Sequence, residues 1–334
     1  MTRVARIDLR GAGGEPVDAR RTFASHGVAG LPPMSVDADG LGATVTLTTP
    51  EGPRTVHLEA GRTDGVAERL AVDVVDAGPP PGTEAATALT TAVERMFCLA
   101  DDLSGFYAAV AADATLAWAA RGAGRLLRSP TVFEDVVKTV CTTNCTWSAT
   151  ERMVGALVGR LGETAPGAPP DGVAGRSFPA PEAMAAAGDE FYAAVVRAGY
   201  RGPYLRSIAA RVAGGELDLE ALLAADRARL PDEEVERTLL ALPGVGPYAA
   251  AHVMLLLGRH SRLVLDSWTR PKYARLVGKP GGSLVADRTI ARRFRRYGPH
   301  AGLAFWLFLT RDWVDDGAHP GRVVRLSGGE PAGG

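Results

Sequence analysis

Up to about residue 82, apolar and polar positions alternate in short runs at 43–48, 55–58 and 70–75, within a stretch rich in Gly, Val and Thr. Alternation of period two puts one face of an extended chain into a core, so a small antiparallel sheet is predicted over residues 1–82. Three successive prolines at 79–81 close this region, since proline donates no N–H to helix or sheet. The spacing then becomes helical, with helices predicted over 85–99, 105–112, 132–147, 182–187, 190–197, 202–212 and 219–225. The Pro- and Gly-rich stretch 163–181 is predicted to be a long loop, and the Gly-rich end, 321–334, a flexible tail. The fold class is therefore mostly α, with a helical domain over 83–320 behind a β-rich one.

Two segments carry more than periodicity. At Thr131-Val-Phe-Glu134 a capping box opens a helix whose apolar stripe is Phe133, Val136, Val137, Val140 and Cys141. The next position on that stripe is Asn144, an amide that needs a partner. The second segment is 231–272, PDEEVERTLLALPGVGPYAAAHVMLLLGRHSRLVLDSWTRPK. Asp232 is expected to cap a helix with Val235, Leu239 and Leu242 on its inner face, stopped by Pro243 and Gly244. Gly244-Val245-Gly246 makes a tight turn, and Pro247 suits the first turn of a second helix. Such a turn leaves backbone N–H groups free at a positive helix end, a seat for one phosphate at Gly244, Val245, Gly246 and Tyr248. The second helix, 247–257, advances about 16 Å and the next seven residues can span roughly 23 Å, enough to return Asp266 to the turn. On position alone Asp266 could equally cap the next helix.

Composition narrows the class. A 334-residue chain that is 46% hydrophobic can bury a substantial core. No apolar run approaches the ~20 residues of a membrane span, and a cytoplasmic, nucleoid-associated protein without membrane contact is expected. The net charge is −1. Residues 262–296 nevertheless hold ten Lys or Arg against only Asp266 and Asp287, and such a local excess suits a nucleic-acid face. The three cysteines, Cys98, Cys141 and Cys145, are too few for a four-thiolate iron–sulfur cluster and read as inert thiols; no metal site is expected. Only Lys138, Lys272 and Lys279 are lysines.

The LPGVG turn, the helix after it and an aspartate twenty residues beyond Gly246 resemble the helix-hairpin-helix, Gly/Pro-rich-Asp (GPD) superfamily of DNA glycosylases, which includes 3-methyladenine DNA glycosylase II and 8-oxoguanine DNA glycosylase. The segments SPTVFEDVVKTVCTTNCTW, GYRGPYLRSIAARV and YGPHAGLAFWLFLTRDW look like further parts of that family, and the likeness covers roughly residues 100–315. The resemblance implies a two-lobed helical glycosylase core containing the hairpin, preceded by the small antiparallel domain. It also implies Asp266 as the catalytic carboxylate, double-stranded DNA with a damaged base as partner, and a monomer. The hairpin carbonyls become candidate ligands for a monovalent cation, with no other cofactor. Asn144, Trp147 and Trp268 fall where the family lines the base pocket or touches the duplex, and Arg270 and Lys272 where phosphates pass. Tyr248, Phe305 and Trp306 are further aromatic candidates, with packing as the alternative; His252 reads as core.

Three positions depart from the family. Members that also cut the backbone carry a lysine where this chain has Tyr248, and a phenol forms no imine, so base removal by water is expected rather than strand cleavage. Lys138 and Lys272 are the only nearby amines that could replace it. Val264-Leu265 stand where Gly-Pro usually precedes the aspartate, and Pro271 falls just inside the next helix. The expected reaction is hydrolysis of the N-glycosidic bond of a flipped-out base, an alkylated purine first and oxidised guanine second. The alternatives are a glycosylase with lyase activity, a catalytically inactive DNA-binding protein and a protein scaffold.

Overall fold

The computed structural model describes residues 1–63, 66–279 and 285–314. Five strands, β1 (Thr2–Asp8), β2 (Met34–Val36), β3 (Gly42–Thr49), β4 (Gly52–Thr63) and β5 (Val66–Val74), pair antiparallel in the spatial order β1-β5-β4-β3-β2. The alternating runs are the three central strands, where Val45 faces Val56 and Ala43 faces Leu58 in the buried layer. The edge strands were not expected. Strand β1, TRVARID, mixes charge with small residues and buries only Ile7, so it has no apolar period to detect.

Helices follow almost without interruption among the described residues: α1 (Ala19–Phe23) lies within the sheet region, then come α2 (Thr83–Met96), α3 (Ser104–Val110), α4 (Val132–Thr142), α5 (Trp147–Leu161), α6 (Pro181–Ala186), α7 (Arg201–Ala213), α8 (Ala221–Ala224), α9 (Asp232–Leu240), α10 (Pro247–Leu256), α11 (Thr269–Leu276), α12 (Asp287–Phe294) and α13 (Ala301–Thr310). Helix α2 lays Leu89, Val93 and Met96 on the sheet, in one core with Val45, Val56 and Leu58. The helix expected over 132–147 is broken. Thr143 ends α4, Asn144 takes a left-handed φ of 47°, and Thr146 caps α5 by accepting from Ala149 N. Asn144 is thus exposed at a turn instead of lying on the α4 stripe. The tail 321–334 lies outside the described residues.

Two helical cores meet at α10. Ala249, Ala250, Val253, Met254 and Leu257 join a lobe built from α4, α5, α7 and α9, while Ala251, Leu255 and Leu256 join one built from α3, α12 and α13. A helix apolar all round belongs inside, and α10 is buried at every position from Ala249 to Leu256. Its carbonyl end is gripped by cations. Arg128 donates to Leu256 O and Arg227 to Gly258 O, so orphan carbonyls and the negative helix end are both satisfied.

Polar groups are also buried where the sheet domain meets α4 and α10. Lys138 Nζ pairs with Glu134 Oε1 at 2.7 Å and donates to Leu31 O at 3.3 Å. His26 bonds Leu127 O through Nε2 at 2.7 Å and meets the His252 ring edge-on at 5.4 Å. Burial holds His26 down to about 4 and His252 to about 3, and pushes the Asp135 carboxyl up to about 6. The two histidines lose stability as pH falls below their unfolded value of about 6.5, because only the unfolded chain takes up the proton. Asp135 opposes them, since burying its charged form costs less as pH falls from about 6 towards its unfolded value. The histidines win, and buried His260, also held well below its ordinary value, adds in the same direction, so stability should drop by about 2 kcal/mol or more between pH 6.5 and 5. Urea unfolding across that range should show the fall, and His252→Gln should remove a large part of it; a flat profile in wild type would contradict the neutral histidine pair.

Candidate active site: a glycine hairpin facing a capped aspartate

The turn between α9 and α10 follows from its residues. Val245 N donates to Leu242 O at 3.2 Å, and Gly244 sits at φ +82°. A Cβ there would lie 2.8 Å from Tyr204 Cδ2, so both the backbone and the neighbouring ring demand glycine. Gly246 is different. It is exposed and extended, with φ −97° and ψ −176°, and nothing lies within 4 Å of where its Cβ would be. It begins α10 without a side-chain cap, and Pro247 takes the first helical position. Among the described residues the N–H groups of Gly246 and Tyr248 meet no protein acceptor, so bare donors stand at the positive end of a ten-residue helix. Asp232 does not cap α9, whose N-cap is Pro231. Its carboxylate instead holds Arg259 at 3.1 Å and Ser261 Oγ at 2.5 Å, fixing the start of the return segment.

That segment delivers Asp266 to the start of α11. Asp266 Oδ1 accepts from Trp268 N at 2.9 Å and Thr269 N at 2.6 Å, while Thr269 Oγ1 accepts from Asp266 N at 2.8 Å. The pair is a reciprocal cap, and it orients the carboxylate. The capping reading open on sequence is the one these bonds show. Among the described residues no donor reaches Oδ2, and Asp266 is only half-buried, so one oxygen remains for a ligand. Pro271 is the third residue of α11; it donates no bond, but those on either side of it, Arg270 N to Asp266 O at 3.3 Å and Lys272 N to Trp268 O at 3.1 Å, are kept.

Rings bind the hairpin helix to the aspartate turn. Tyr248 stacks on His252 at 6.2 Å, His252 meets Trp306 at 6.4 Å, and Trp306 meets Trp268 at 5.9 Å. Trp313 closes the group against Trp268 at 5.6 Å. The Tyr248 phenol is raised above its ordinary value first by burial, opposed by a bond to Thr142 Oγ1 and reinforced by the nearby Asp266 charge. The phenol is thus within electrostatic reach of the Asp266 carboxylate. Trp268 is 38% exposed and presents a wettable ring edge next to the carboxylate. Trp306 is buried and donates to Ser25 O at 2.8 Å, and Phe305 is fully buried core.

The remaining candidates divide. Asn144 Nδ2 donates to Tyr200 OH at 3.3 Å, Tyr200 packs edge-on against Tyr204 at 5.9 Å, and Tyr204 backs Gly244. The α4–α5 turn thus flanks the hairpin. Trp147 stands apart, with Nε1 on Glu151 at 2.9 Å and its ring against Gly27 of the sheet domain. Arg270 is held by Asp287 through bonds of 2.8 and 2.9 Å, and Lys272 by Asp312 at 2.5 Å. Tyr200, Tyr204 and Trp313 escaped the sequence reading as site residues, although GYRGPYL and TRDW were both singled out as segments. Among the described residues no group of three or more His, Cys, Asp or Glu could hold a metal; Cys145 Sγ simply donates to Cys141 O at 3.1 Å.

The fold is one already seen in solved DNA glycosylases. The 3-methyladenine DNA glycosylase from Archaeoglobus fulgidus superposes with a TM-score of 0.66 at 21% identity, covering 92% of this chain and 98% of that one. The Clostridium acetobutylicum 8-oxoguanine glycosylase/lyase, solved with duplex DNA containing cytosine opposite 8-oxoguanine, gives 0.63 at 18% identity over 89% and 92%. MBOgg1 with a low-affinity DNA ligand gives 0.64 at 21% over 92% and 93%. No family model and no curated protein matches the sequence.

The contrast between the two hairpin glycines is testable. Gly244→Ala should lower stability by about 1–3 kcal/mol, because it combines a left-handed backbone with a clash. Gly246→Ala should leave the thermal midpoint within about a degree or two, an effect under 0.5 kcal/mol. Equal melting behaviour in the two variants would contradict the geometry of the turn.

Proposed function

We propose that this protein is a monofunctional DNA glycosylase of base-excision repair. The observation that carries the reading is Asp266, with one carboxylate oxygen locked into the start of α11 and the other without a donor, linked through the Trp268, Trp306 and His252 rings to Tyr248 of a hairpin whose Gly246 and Tyr248 N–H groups are bare. A phosphate on the hairpin would position the strand without reading its sequence. Asp266 Oδ2 would then face the sugar. Breaking an N-glycosidic bond makes that sugar cationic, and a fixed negative charge stabilises the transition state while orienting a water for attack. The lesion must leave the stack first, which costs least where pairing is already damaged.

Base removal without strand cleavage is favoured because the three positions considered for an attacking amine do not offer a free one. Tyr248 holds the position of the usual lysine, Lys138 is buried in its pair with Glu134, and Lys272 is paired with Asp312. An alkylated purine is the preferred lesion. The faces of Trp268, Trp306 and Trp313 are electron-rich, and alkylated purines that carry positive charge gain from cation–π contact where oxidised guanine does not. The Archaeoglobus relative in fold bears the name of a 3-methyladenine enzyme.

Asp266→Asn should fold normally, since the amide oxygen still caps α11, and should bind duplex within a few-fold of wild type. Release of free base from methylated DNA should fall by at least 10³-fold; near-wild-type release would remove Asp266 from the mechanism. Borohydride added to wild type with lesion duplex should trap no covalent adduct, whereas a trapped adduct would demand an attacking amine.

A further inference from the structure

We infer that a second phosphate-binding groove lies beside the site, formed by Arg288, Arg292 and Arg295 against the return segment that carries Asp266. The inference rests on the proposed DNA-binding function and adds a surface to it. Residues 288, 292 and 295 share one face by helical spacing, opposite Ile290, Phe294 and Tyr297, which are buried. The three arginines line an open groove of about 610 Å³ whose other wall includes Leu263 and Ala301.

Most other cations of the basic segment are engaged; exposed Arg275 and Lys279 are the exceptions, and they lie outside the groove. Arg262 is paired with Glu233 and Glu236, Arg270 with Asp287, Lys272 with Asp312 and Arg296 with Asp113, while Arg293 lies over the Phe308 ring at 4.7 Å. Among the described residues Arg288, Arg292 and Arg295 have no carboxylate partner, and all three are exposed. Like charges at i and i+4 repel, and among the described residues no carboxylate pairs with these three, so the groove is complementary to an external polyanion. Leu263 stands three residues before Asp266, which puts the groove rim within about 11 Å of the carboxylate's Cα. At about 3.4 Å of axis per phosphate in one strand, that reaches the duplex roughly three base pairs from the lesion. The occupant is therefore the phosphodiester backbone flanking the damaged nucleotide, gripped without base reading.

The test compares R288Q/R292Q/R295Q with R6Q/R160Q/R229Q, which removes three exposed arginines outside the groove. Affinity for an undamaged duplex is measured from 50 to 200 mM salt. With about 0.9 counterions per phosphate, three lost contacts lower the salt slope by about 2.7, so the groove variant's loss of affinity across that range should be roughly 40-fold smaller than wild type's. The control variant should keep the wild-type slope. On methylated duplex the groove variant should show raised KM with kcat unchanged. Identical slopes in both variants overturn the groove, as does a groove variant that loses only inorganic polyphosphate binding. Absence of base release in wild type, with the slope change intact, sinks the glycosylase reading and leaves the groove standing.

Discussion

The site depends on one constraint: α10 is enclosed by two hydrophobic cores and can neither rotate nor slide. Its eight residues from Ala249 to Leu256 are all buried, some against α4 and α9, others against α13. Close packing on every side fixes the helix axis to the density of a protein interior. Arginines hold its far end by the carbonyls, so the near end, with Gly246 and Pro247, is presented at a set place and angle. The hairpin is shaped by glycine, but it is positioned by a helix without a polar face.

The return path inherits that rigidity. Arg259 spends its guanidinium on Leu230 O, Ala225 O and Asp232, and Gly302 N donates to His260 O at 2.7 Å, so the residues between α10 and Asp266 are tied down at the far end. Val264, 1% exposed, is the inward anchor just before the aspartate. Where the family has Gly-Pro, burial of Val264 and the cap on α11 hold the backbone on either side of Leu265 and Asp266. The His26–His252 contact carries the same linkage outward, joining the sheet domain to the ring stacked on Tyr248.

Much of this was legible in the chain. The hairpin announced itself through Gly, Pro and flanking apolar periodicity, and its aspartate through distance along a helix and the segment after it. The central strands showed because their two faces differ. Edge strand β1 did not, since its mixture of charged and small residues leaves no period, and neither did the break at Asn144, because nothing in TTNCT forbids a continuing helix until Arg201 donates to Thr143 O and Tyr200 takes the amide. Asp232 stands at the helix start where it was expected but serves a different end. Its partners, Arg259 and Ser261, lie more than twenty-five residues on, and only tertiary contact reveals them. The pairing of Lys272 and Arg270 was hidden for the same reason.

The cap at Asp266 binds two requirements to one group. Helix α11 packs Tyr273 against Phe294, Phe305 and Phe308, so its formation contributes to the solidity of the whole lobe. A lineage under pressure only to keep this lobe intact would retain at this position a short side chain whose oxygen caps α11, aspartate or asparagine, with its second terminal atom unclaimed. The proposed chemistry would then stand one amide-to-acid exchange from the purely structural residue, on a backbone already held in place.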